Sequence, residues 1–227
     1  MRKGLLQNHQ NILRLSYIFA LWYWFNCESG DAHAVLAKVS STALLTLYAY
    51  KTSGSPYPTL TVMSLASHCV GDGAFECDTL ILPAMGAFLM GHFFYIFSLR
   101  KNCIRLQDIN LTKALGIVAF SLYGIAFTSY LMTKTSGVIQ CAIPLYSAVL
   151  SAMFTLACLQ KKNTFPIFIS ALLYVASDNL NGFNMFVKKI PYAGFFTWAS
   201  YYLAVRMMAE LQKKSENKPQ LSPKSAM

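Results

Sequence analysis

The chain has 227 residues, of which 55% are hydrophobic and only 12% charged, and its mean hydropathy is +0.41. Soluble domains carry about 25% charged residues, so this composition argues against an ordinary soluble protein and indicates a membrane protein. The formal net charge is +10. In a membrane protein, such an excess of Lys and Arg is typically located in cytoplasmic loops that face anionic lipid. Because the basic residues are not clustered with interleaved aromatic residues, we expect no nucleic-acid partner.

Eight apolar segments follow one another along the chain, and most approach the roughly 20 residues that a helix needs to cross the hydrocarbon core. They occupy about residues 12–27, 34–50, 57–75, 79–99, 113–132, 137–160, 164–182 and 191–211. No small-residue cleavage site follows the first segment, which predicts a retained span rather than a removed signal peptide. The sequence therefore predicts an all-α, polytopic membrane bundle of about eight transmembrane helices.

The basic residues predict how these helices are oriented. With the N-terminus in the cytoplasm, 15 of the 19 Lys and Arg residues fall on the cytoplasmic side, as the positive-inside rule requires. Four of the nine acidic residues fall on the outer side, namely Glu28, Asp31, Glu76 and Asp78. We expect both termini to be cytoplasmic, with residues 1–212 as the transmembrane domain and residues 213–227 as a basic, disordered tail.

Two carboxylates lie inside predicted spans. Asp72 stands near the end of the third segment, and Asp178 stands 106 residues later, near the end of the seventh. A carboxylate at such depth costs roughly 2.5–3.5 kcal/mol on insertion scales, which favours a functional role. Lys38 lies a few residues into the second segment and therefore shares the same predicted leaflet and depth.

The acidic segments also repeat a spacing. Asp72 is followed 23 residues later by Tyr95, and Asp178 is followed 23 residues later by Tyr201. Each aspartate ends an odd-numbered segment and each tyrosine lies within the next one. The offset covers four segments, so the pattern predicts a parallel 4+4 repeat.

Two carboxyl groups at one depth indicate acid–base chemistry if their surroundings differ. A lysine close to one aspartate would lower the cost of burying both, and it would leave the other free to hold a proton. The alternatives are a purely structural Lys38–Asp pair and a Lys38 side chain that reaches the interface. Further candidates are polar residues that can equally be packed core residues: Ser177, His92, Tyr95, Tyr201 and Tyr202.

Metal and nucleophile motifs are missing from the sequence. None of the six cysteines forms a C-x-x-C pair, so neither a zinc site nor a disulfide framework is indicated. His68 precedes Asp72 by one helical turn, which is compatible with a metal pair, but two ligands are too few for zinc. G-x-S-x-G elbows and Gly-rich phosphate loops are absent as well. We expect no metal and no cofactor.

Several short motifs occur in a characteristic order. They are Val35-Leu36-Ala37-Lys38, Val70-Gly71-Asp72, Gly86 with Gly91-His92-Phe93-Phe94-Tyr95, Ala171-Leu172-Leu173-Tyr174-Val175-Ala176-Ser177-Asp178, and Tyr201-Tyr202. As a set, over about residues 34–210, they resemble the YhhN-like lysoplasmalogenases, a family of eight-span integral membrane hydrolases. Two positions depart from the family pattern: Ser41 replaces a frequent Pro and Val205 replaces a frequent Gln.

The resemblance implies a reaction. Family members cleave the vinyl ether bond of lysoplasmalogens to a fatty aldehyde and glycerophosphocholine or glycerophosphoethanolamine. Asp72 and Asp178 would then act as general acid and base, in an order that the residues leave open. Lys38 would tune the two carboxyls or meet the phosphate. The expected partners are a lysophospholipid substrate and membrane lipid; the oligomeric state is not determined.

Other functions fit the same residues. A proton-coupled carrier would use the repeat and the two acids as a transport site. A zinc-dependent lipid amidase or esterase would use His68, Asp72, His92 and Asp178 as ligands. A third alternative is a lipid-binding or scaffolding protein without catalysis.

Short loops and compact size suit a bacterial inner membrane more than the eukaryotic endoplasmic reticulum.

Overall fold

The computed structural model describes residues 2–53 and 59–216. These residues form eight α-helices joined by short connections, two of which contain a single 3₁₀ turn. The helices are α1 Arg2–Asn26, α2 Ala32–Thr52, α3 Leu60–Phe75, α4 Ile81–Arg100, α5 Leu111–Met132, α6 Gly137–Cys158, α7 Thr164–Phe186 and α8 Ala193–Glu216. The predicted all-α architecture of eight helices is therefore confirmed for this part of the chain.

The first and last helices extend beyond the apolar segments that predicted them. α1 begins at Arg2 rather than near residue 12, because its first turns are polar and carry no hydropathy signal. α8 continues to Glu216, so it includes residues 213–216 of the predicted tail. The remainder of the predicted tail, residues 217–227, lies outside the described residues.

Three of the described helices, α4, α5 and α6, are long and apolar enough to cross a membrane. α5 is the most exposed of them, since Leu131 is its only buried residue. The other helices carry polar side chains that the bundle buries completely, among them Ser16, Ser41, Ser64 and Ser170. The fold is thus that of a membrane protein, and the eight spans with cytoplasmic termini stay a prediction.

Helix contacts in the two halves of the chain follow one pattern. In the first half α2 packs against α1 and α3, and α3 packs against α4; in the second half α6 packs against α5 and α7, and α7 packs against α8. Between the halves, α2 contacts α8 and α4 contacts α6, while α1 and α3 also contact α8 without corresponding contacts at α4 in the described part of the chain. If each helix is exchanged for the helix at the same position in the other half, α2 becomes α6 and α8 becomes α4. The α2–α8 contact then becomes the α6–α4 contact. A 4+4 repeat would produce this contact order.

α3 and α4 approach each other closely because glycines line their interface. Ser64 Oγ donates to the carbonyl oxygen of Gly91 at 2.7 Å, and the Gly91 Cα faces the His68 ring. A Cβ at Gly71 would lie 2.8 Å from the Phe88 ring, so glycine is needed there too. Small residues of this kind allow membrane helices to pack backbone to backbone. The close packing holds Asp72 in a fixed position between α3 and its neighbours.

Candidate functional site

A cavity of about 370 Å³ lies in the bundle, and both predicted catalytic aspartates line it. α3 contributes Asp72 and α7 contributes Asp178; Lys38 of α2, Ser177 of α7 and Tyr201 of α8 also reach it. The C-terminal part of α7 and the segment after it add polar residues, namely Asn179, Asn181, Asn184 and Lys189. α4, α5 and α6 add mainly apolar residues, namely Ile81, Met85, Phe88, Phe127, Leu131, Ile143 and Leu150. The cavity therefore has a polar side and an apolar side, as an amphipathic ligand requires.

Asp72 is almost completely enclosed, with 1% of its surface exposed. The Tyr201 hydroxyl donates a hydrogen bond to its Oδ2 at 2.9 Å. The Tyr201 ring in turn packs edge to face on Phe88, with centroids 6.1 Å apart. This packing fixes the direction in which the hydroxyl points, so Asp72 is held by a rigid donor.

Asp178 is more accessible, with 18% of its side chain exposed. Its Oδ2 accepts a hydrogen bond from the Tyr146 hydroxyl at 2.9 Å and lies 3.1 Å from His92 Nε2. The Tyr146 hydroxyl and His92 Nε2 are themselves 3.3 Å apart. One carboxylate oxygen is thus contacted by a tyrosine hydroxyl of α6 and by a histidine ring nitrogen of α4.

Lys38 pairs with a glutamate and not with an aspartate. Its Nζ lies 2.6 Å from Glu76 Oε1, and the Tyr23 hydroxyl donates to the same oxygen at 2.8 Å. Three aromatic rings surround the ammonium group, with Nζ 5.1 to 5.8 Å from the centroids of Phe75, Tyr23 and Trp198. This corrects the expected Lys38–Asp pair. The sequence places Glu76 in an outer loop, whereas it caps the end of α3 and lines the cavity.

The Lys38 side chain does not lie on the surface of the bundle either, because only 7% of it is exposed. Its ammonium group instead lines the cavity together with Asp72 and Glu76. The group is held by one carboxylate and by the faces of aromatic rings, which attract cations. A cation is therefore fixed at the cavity wall without being bonded to either aspartate.

Two predicted supporting tyrosines are not among the residues that line the cavity. The Tyr202 hydroxyl lies 2.9 Å from Ser16 Oγ, in the core between α1 and α8. Tyr95 is buried, and its ring contacts Tyr174 with centroids 6.5 Å apart. Ser177 reaches the cavity, but its hydroxyl donates to the carbonyl oxygen of Thr197 at 3.1 Å.

Sequence reasoning missed two polar members of this site. Glu76 follows Asp72 by four residues, so helical spacing could have placed both on one face of α3. Tyr146 gives no such signal, since a tyrosine within an apolar segment is equally typical of a membrane interface. Its role at Asp178 follows only from the packing of α6 against α4 and α7.

The residues of the zinc alternative are divided among other partners. His68 Nδ1 lies 2.7 Å from the carbonyl oxygen of Ser64, and His92 Nε2 faces Asp178. Within the described residues, no three His, Cys, Asp or Glu side chains are arranged to hold a metal ion. The geometry therefore offers no observation in favour of a zinc-dependent amidase or esterase.

Comparison with known proteins identifies one relationship. No curated protein and no solved structure matches the chain. The sequence profile of the YhhN family matches residues 33–211, a range that contains both aspartates, Lys38 and all the other predicted site residues. This range agrees with the resemblance seen in the motifs and covers most of the chain. The chain belongs to the YhhN family.

Proposed function

We propose that this protein is a membrane hydrolase that cleaves the vinyl ether bond of lysoplasmalogens. The products are a fatty aldehyde and glycerophosphocholine or glycerophosphoethanolamine. The observation that carries the proposal is one cavity with two aspartates from separate helices, bounded by apolar side chains on α4, α5 and α6. Membership of the YhhN family is consistent with a hydrolase and supports this choice among reactions.

The reaction needs an acid and a base at one site. Protonation of the vinyl β-carbon gives an oxocarbenium ion, and water then adds to the carbon that bears the oxygen. The resulting hemiacetal collapses to the aldehyde and the glycerol hydroxyl. A general acid supplies the first proton, and a carboxylate stabilises the cation and takes a proton from the water.

The surroundings of the aspartates suggest which one has which role. Asp178 accepts from Tyr146, lies beside His92 and is the more exposed of the two, so we assign it as the base that activates water. Asp72 is enclosed and contacts the Tyr201 hydroxyl. We assign Asp72 as the acid, because its enclosed position shields it from the water that the base has to activate.

The remainder of the cavity fits the rest of the substrate. Lys38 is a fixed cation at the wall, suited to the phosphate group of a lysolipid as a point charge. Apolar residues such as Met85, Phe127 and Leu150 would contact the chain that carries the vinyl ether. This arrangement would place the ether bond between the polar and apolar parts, where both aspartates reach it.

The decisive experiment is aldehyde release by the detergent-purified protein from a lysoplasmalogen, followed with an aldehyde-reducing enzyme. An ordinary acyl lysophospholipid serves as the substrate control and should release no aldehyde. We expect Asp72→Asn and Asp178→Asn each to lower the rate at least about 100-fold, as loss of a general acid or base does. Near-normal release by either variant would overturn the two-aspartate mechanism.

A proton-coupled carrier is the second candidate, and the repeated contact order of the two halves favours it. Inverted or parallel repeats are common in transporters, with the substrate site at their interface. Reconstituted liposomes distinguish the candidates, because a carrier accumulates intact lysolipid whereas a hydrolase converts it to aldehyde. Accumulation without product would replace the hydrolase proposal.

For the membrane we propose eight spans with both termini cytoplasmic, in a bacterial inner membrane. The excess of Lys and Arg on one side of the bundle and the three strongly apolar helices support this topology.

A further inference from the structure

Lys189 is the second lysine that lines the cavity, and it lies at one end of the bundle. The residue belongs to the short connection between α7 and α8, where its side chain is exposed. Other lining residues stand at or next to the ends of α3, α4 and α8, namely Glu76, Ile81 and Gly194. The cavity therefore extends to the end of the bundle that carries the α3–α4 and α7–α8 connections, and Lys189 is at its mouth.

The connection that carries Lys189 is fastened to the end of α7. Asn184 Oδ1 accepts a hydrogen bond from the backbone N–H of Ile190 at 2.8 Å, and the Val187 N–H donates to the Phe183 carbonyl oxygen at 3.0 Å. Asn184 is itself a lining residue, so the connection is held at the cavity wall. Lys189 is thereby kept beside the cavity although its side chain is exposed.

Lys189 differs from Lys38 in having no anionic partner. Lys38 pairs with Glu76, whereas none of the ion pairs in the described part of the chain includes Lys189. The amide side chains of Asn181 and Asn184 also line the cavity and supply neutral hydrogen-bond donors. An uncompensated ammonium group together with amide donors is suited to bind an anionic oxygen.

The charges along the cavity wall make Lys189 important for any anionic ligand. Among the described residues, three carboxyl groups line the cavity, those of Asp72, Glu76 and Asp178, and two ammonium groups, those of Lys38 and Lys189. With the assigned acid Asp72 protonated, the two remaining carboxylates are balanced only if both lysines are counted. Without Lys189 the lining would be net negative, and it would repel a phosphate group.

The predicted topology gives a second reason to look for a function here. It places the α7–α8 connection on the outer side, where the positive-inside rule disfavours Lys and Arg in short loops. This connection nevertheless contains Lys188 and Lys189. A cation at that position works against the orientation that the other basic residues favour, and a binding role supplies a physical reason for it.

We propose that Lys189, with Asn181, binds the phosphate group of a lysophospholipid at the mouth of the cavity. The inference rests on the proposed function and deepens it, since it names a residue that selects lipids bearing phosphate. The two non-bridging oxygens of the phosphodiester share its negative charge, so one can face Lys38 inside the cavity while the other faces Lys189. A neutral glycerolipid with the same chain has no such group and gains nothing from Lys189.

The binding test uses a lysophospholipid with a saturated alkyl ether chain, because this probe has no vinyl group to protonate. Equilibrium binding to the detergent-purified full chain should be about fivefold weaker for Lys189→Gln, the upper end of what an exposed ion pair supplies. The matched probe is an alkylglycerol with the same chain and no phosphate, which should bind the wild type and the variant equally. Equal weakening for both probes would overturn the proposal, because Lys189 would then act on the shape of the mouth and not on phosphate.

Lys188→Gln is the matched control variant, since Lys188 is the exposed neighbour of Lys189 and is not among the residues that line the cavity. It should bind both probes as the wild type does. Lys189→Arg keeps the charge and should bind the lysophospholipid within about twofold of the wild type. If Lys188→Gln weakens binding as much as Lys189→Gln, the connection attracts anions without a defined site and the proposal fails.

Inorganic phosphate distinguishes a lipid site from a site for free phosphate. Added at the same concentration as the alkyl ether lysophospholipid, it should leave that probe bound, because it lacks the chain that the apolar side of the cavity contacts. Displacement of the probe by inorganic phosphate would contradict the assignment to a lipid.

Kinetics with the lysoplasmalogen substrate give a third readout. Lys189→Gln should raise KM about fivefold and leave kcat within about twofold, since the phosphate is bound equally in the ground state and in the transition state. A lower kcat with unchanged KM would instead place Lys189 in the chemical step and reject the binding role.

The two proposals fail separately. If the wild-type protein releases no aldehyde, the hydrolase is wrong, while the comparison of the two alkyl probes still tests the phosphate site. If aldehyde is released but Lys189→Gln binds the alkyl ether lysophospholipid as tightly as the wild type does, only the phosphate site is wrong.

Discussion

The ion pair between Lys38 and Glu76 joins two helices at the cavity wall. Its oxygen also accepts from Tyr23, and the ammonium group lies against three rings. Removing one member of such a pair leaves the other charge uncompensated, which destabilises more than removal of both. The pair is therefore a determinant of stability as well as of charge in the cavity.

We predict that Lys38→Met destabilises the protein by about 1–3 kcal/mol, below the range for fully buried pairs, because 18% of the Glu76 side chain is exposed. The double variant Lys38→Met/Glu76→Gln should lose less than the sum of the single variants. Thermal unfolding in detergent measures all three proteins. Strictly additive losses would show that the two side chains do not interact.

Tyr146 is predicted to act on the rate and not on binding. Tyr146→Phe removes the hydroxyl that donates to Asp178, so kcat for aldehyde release should fall about tenfold while KM stays within about twofold. Tyr130→Phe is the control, since Tyr130 is a 43% exposed tyrosine of α5 outside the cavity lining. A rise in KM with unchanged kcat would instead make Tyr146 a binding residue.

Sequence patterns identify some residues of the candidate site and not others. Asp72, Asp178 and Lys38 are recognisable because charge inside an apolar segment is costly and therefore conspicuous. Tyr146 is not, since aromatic residues are abundant throughout the segments. Its partners come from helices that are distant in sequence, and no local pattern encodes such contacts.

At the scale of helices, α3 and α4 form the rigid support of Asp72. Gly91 faces His68 so closely that an added Cβ would overlap the ring. Because the His68 ring is enclosed by α4 and by Tyr174, it has little room to move. The short distance between α3 and α4 therefore requires glycine, which has no side chain, at position 91.

We predict that Gly91→Ala destabilises the protein by about 1–3 kcal/mol, as overpacking of a close interface does. Gly86→Ala on the same helix is the matched control, because a Cβ there meets nothing within 4 Å. The control should be neutral or slightly more stable, since alanine is the better helix former. Equal thermal stability of the two variants would show that α3 and α4 separate without cost.

The spacing between acid and tyrosine predicts related helices but not the actual contacts. Tyr201 does not bond with Asp178, the aspartate 23 residues before it, but with Asp72 in the other half. Asp178 in turn is contacted from α4 by His92, and not by Tyr95 of the same helix. Each acid thus receives a partner from the opposite half, so both halves are required to complete either aspartate site.

For the whole molecule, eight membrane spans can be tested by labelling single cysteines. Cys77 is exposed after α3, on the predicted outer side, whereas Lys162 is exposed between α6 and α7, on the predicted cytoplasmic side. We expect a membrane-impermeant maleimide to label Cys77 in sealed right-side-out vesicles, in a variant without the other cysteines. Lys162→Cys, in a background without native cysteines, should be labelled only after permeabilisation.

Labelling of both positions from the same side would contradict the eight-span topology. It would mean that an odd number of the intervening helices α4, α5 and α6 fails to cross the membrane, although these are the three most apolar helices.

The sequence by itself determined the helical architecture, the membrane class and the family. These properties depend on composition, on apolar segment length and on short ordered motifs, all of which are local along the chain. It also singled out both aspartates, because isolated charges in apolar segments are rare.

Only the tertiary structure decided which groups surround each aspartate. Lys38 pairs with Glu76, Tyr146 and His92 converge on Asp178, and Tyr201 reaches Asp72. The physical reason is that these contacts arise where separate helices pack, and packing depends on the shapes of all the facing side chains together. Polarity and spacing within one segment carry no information about that arrangement.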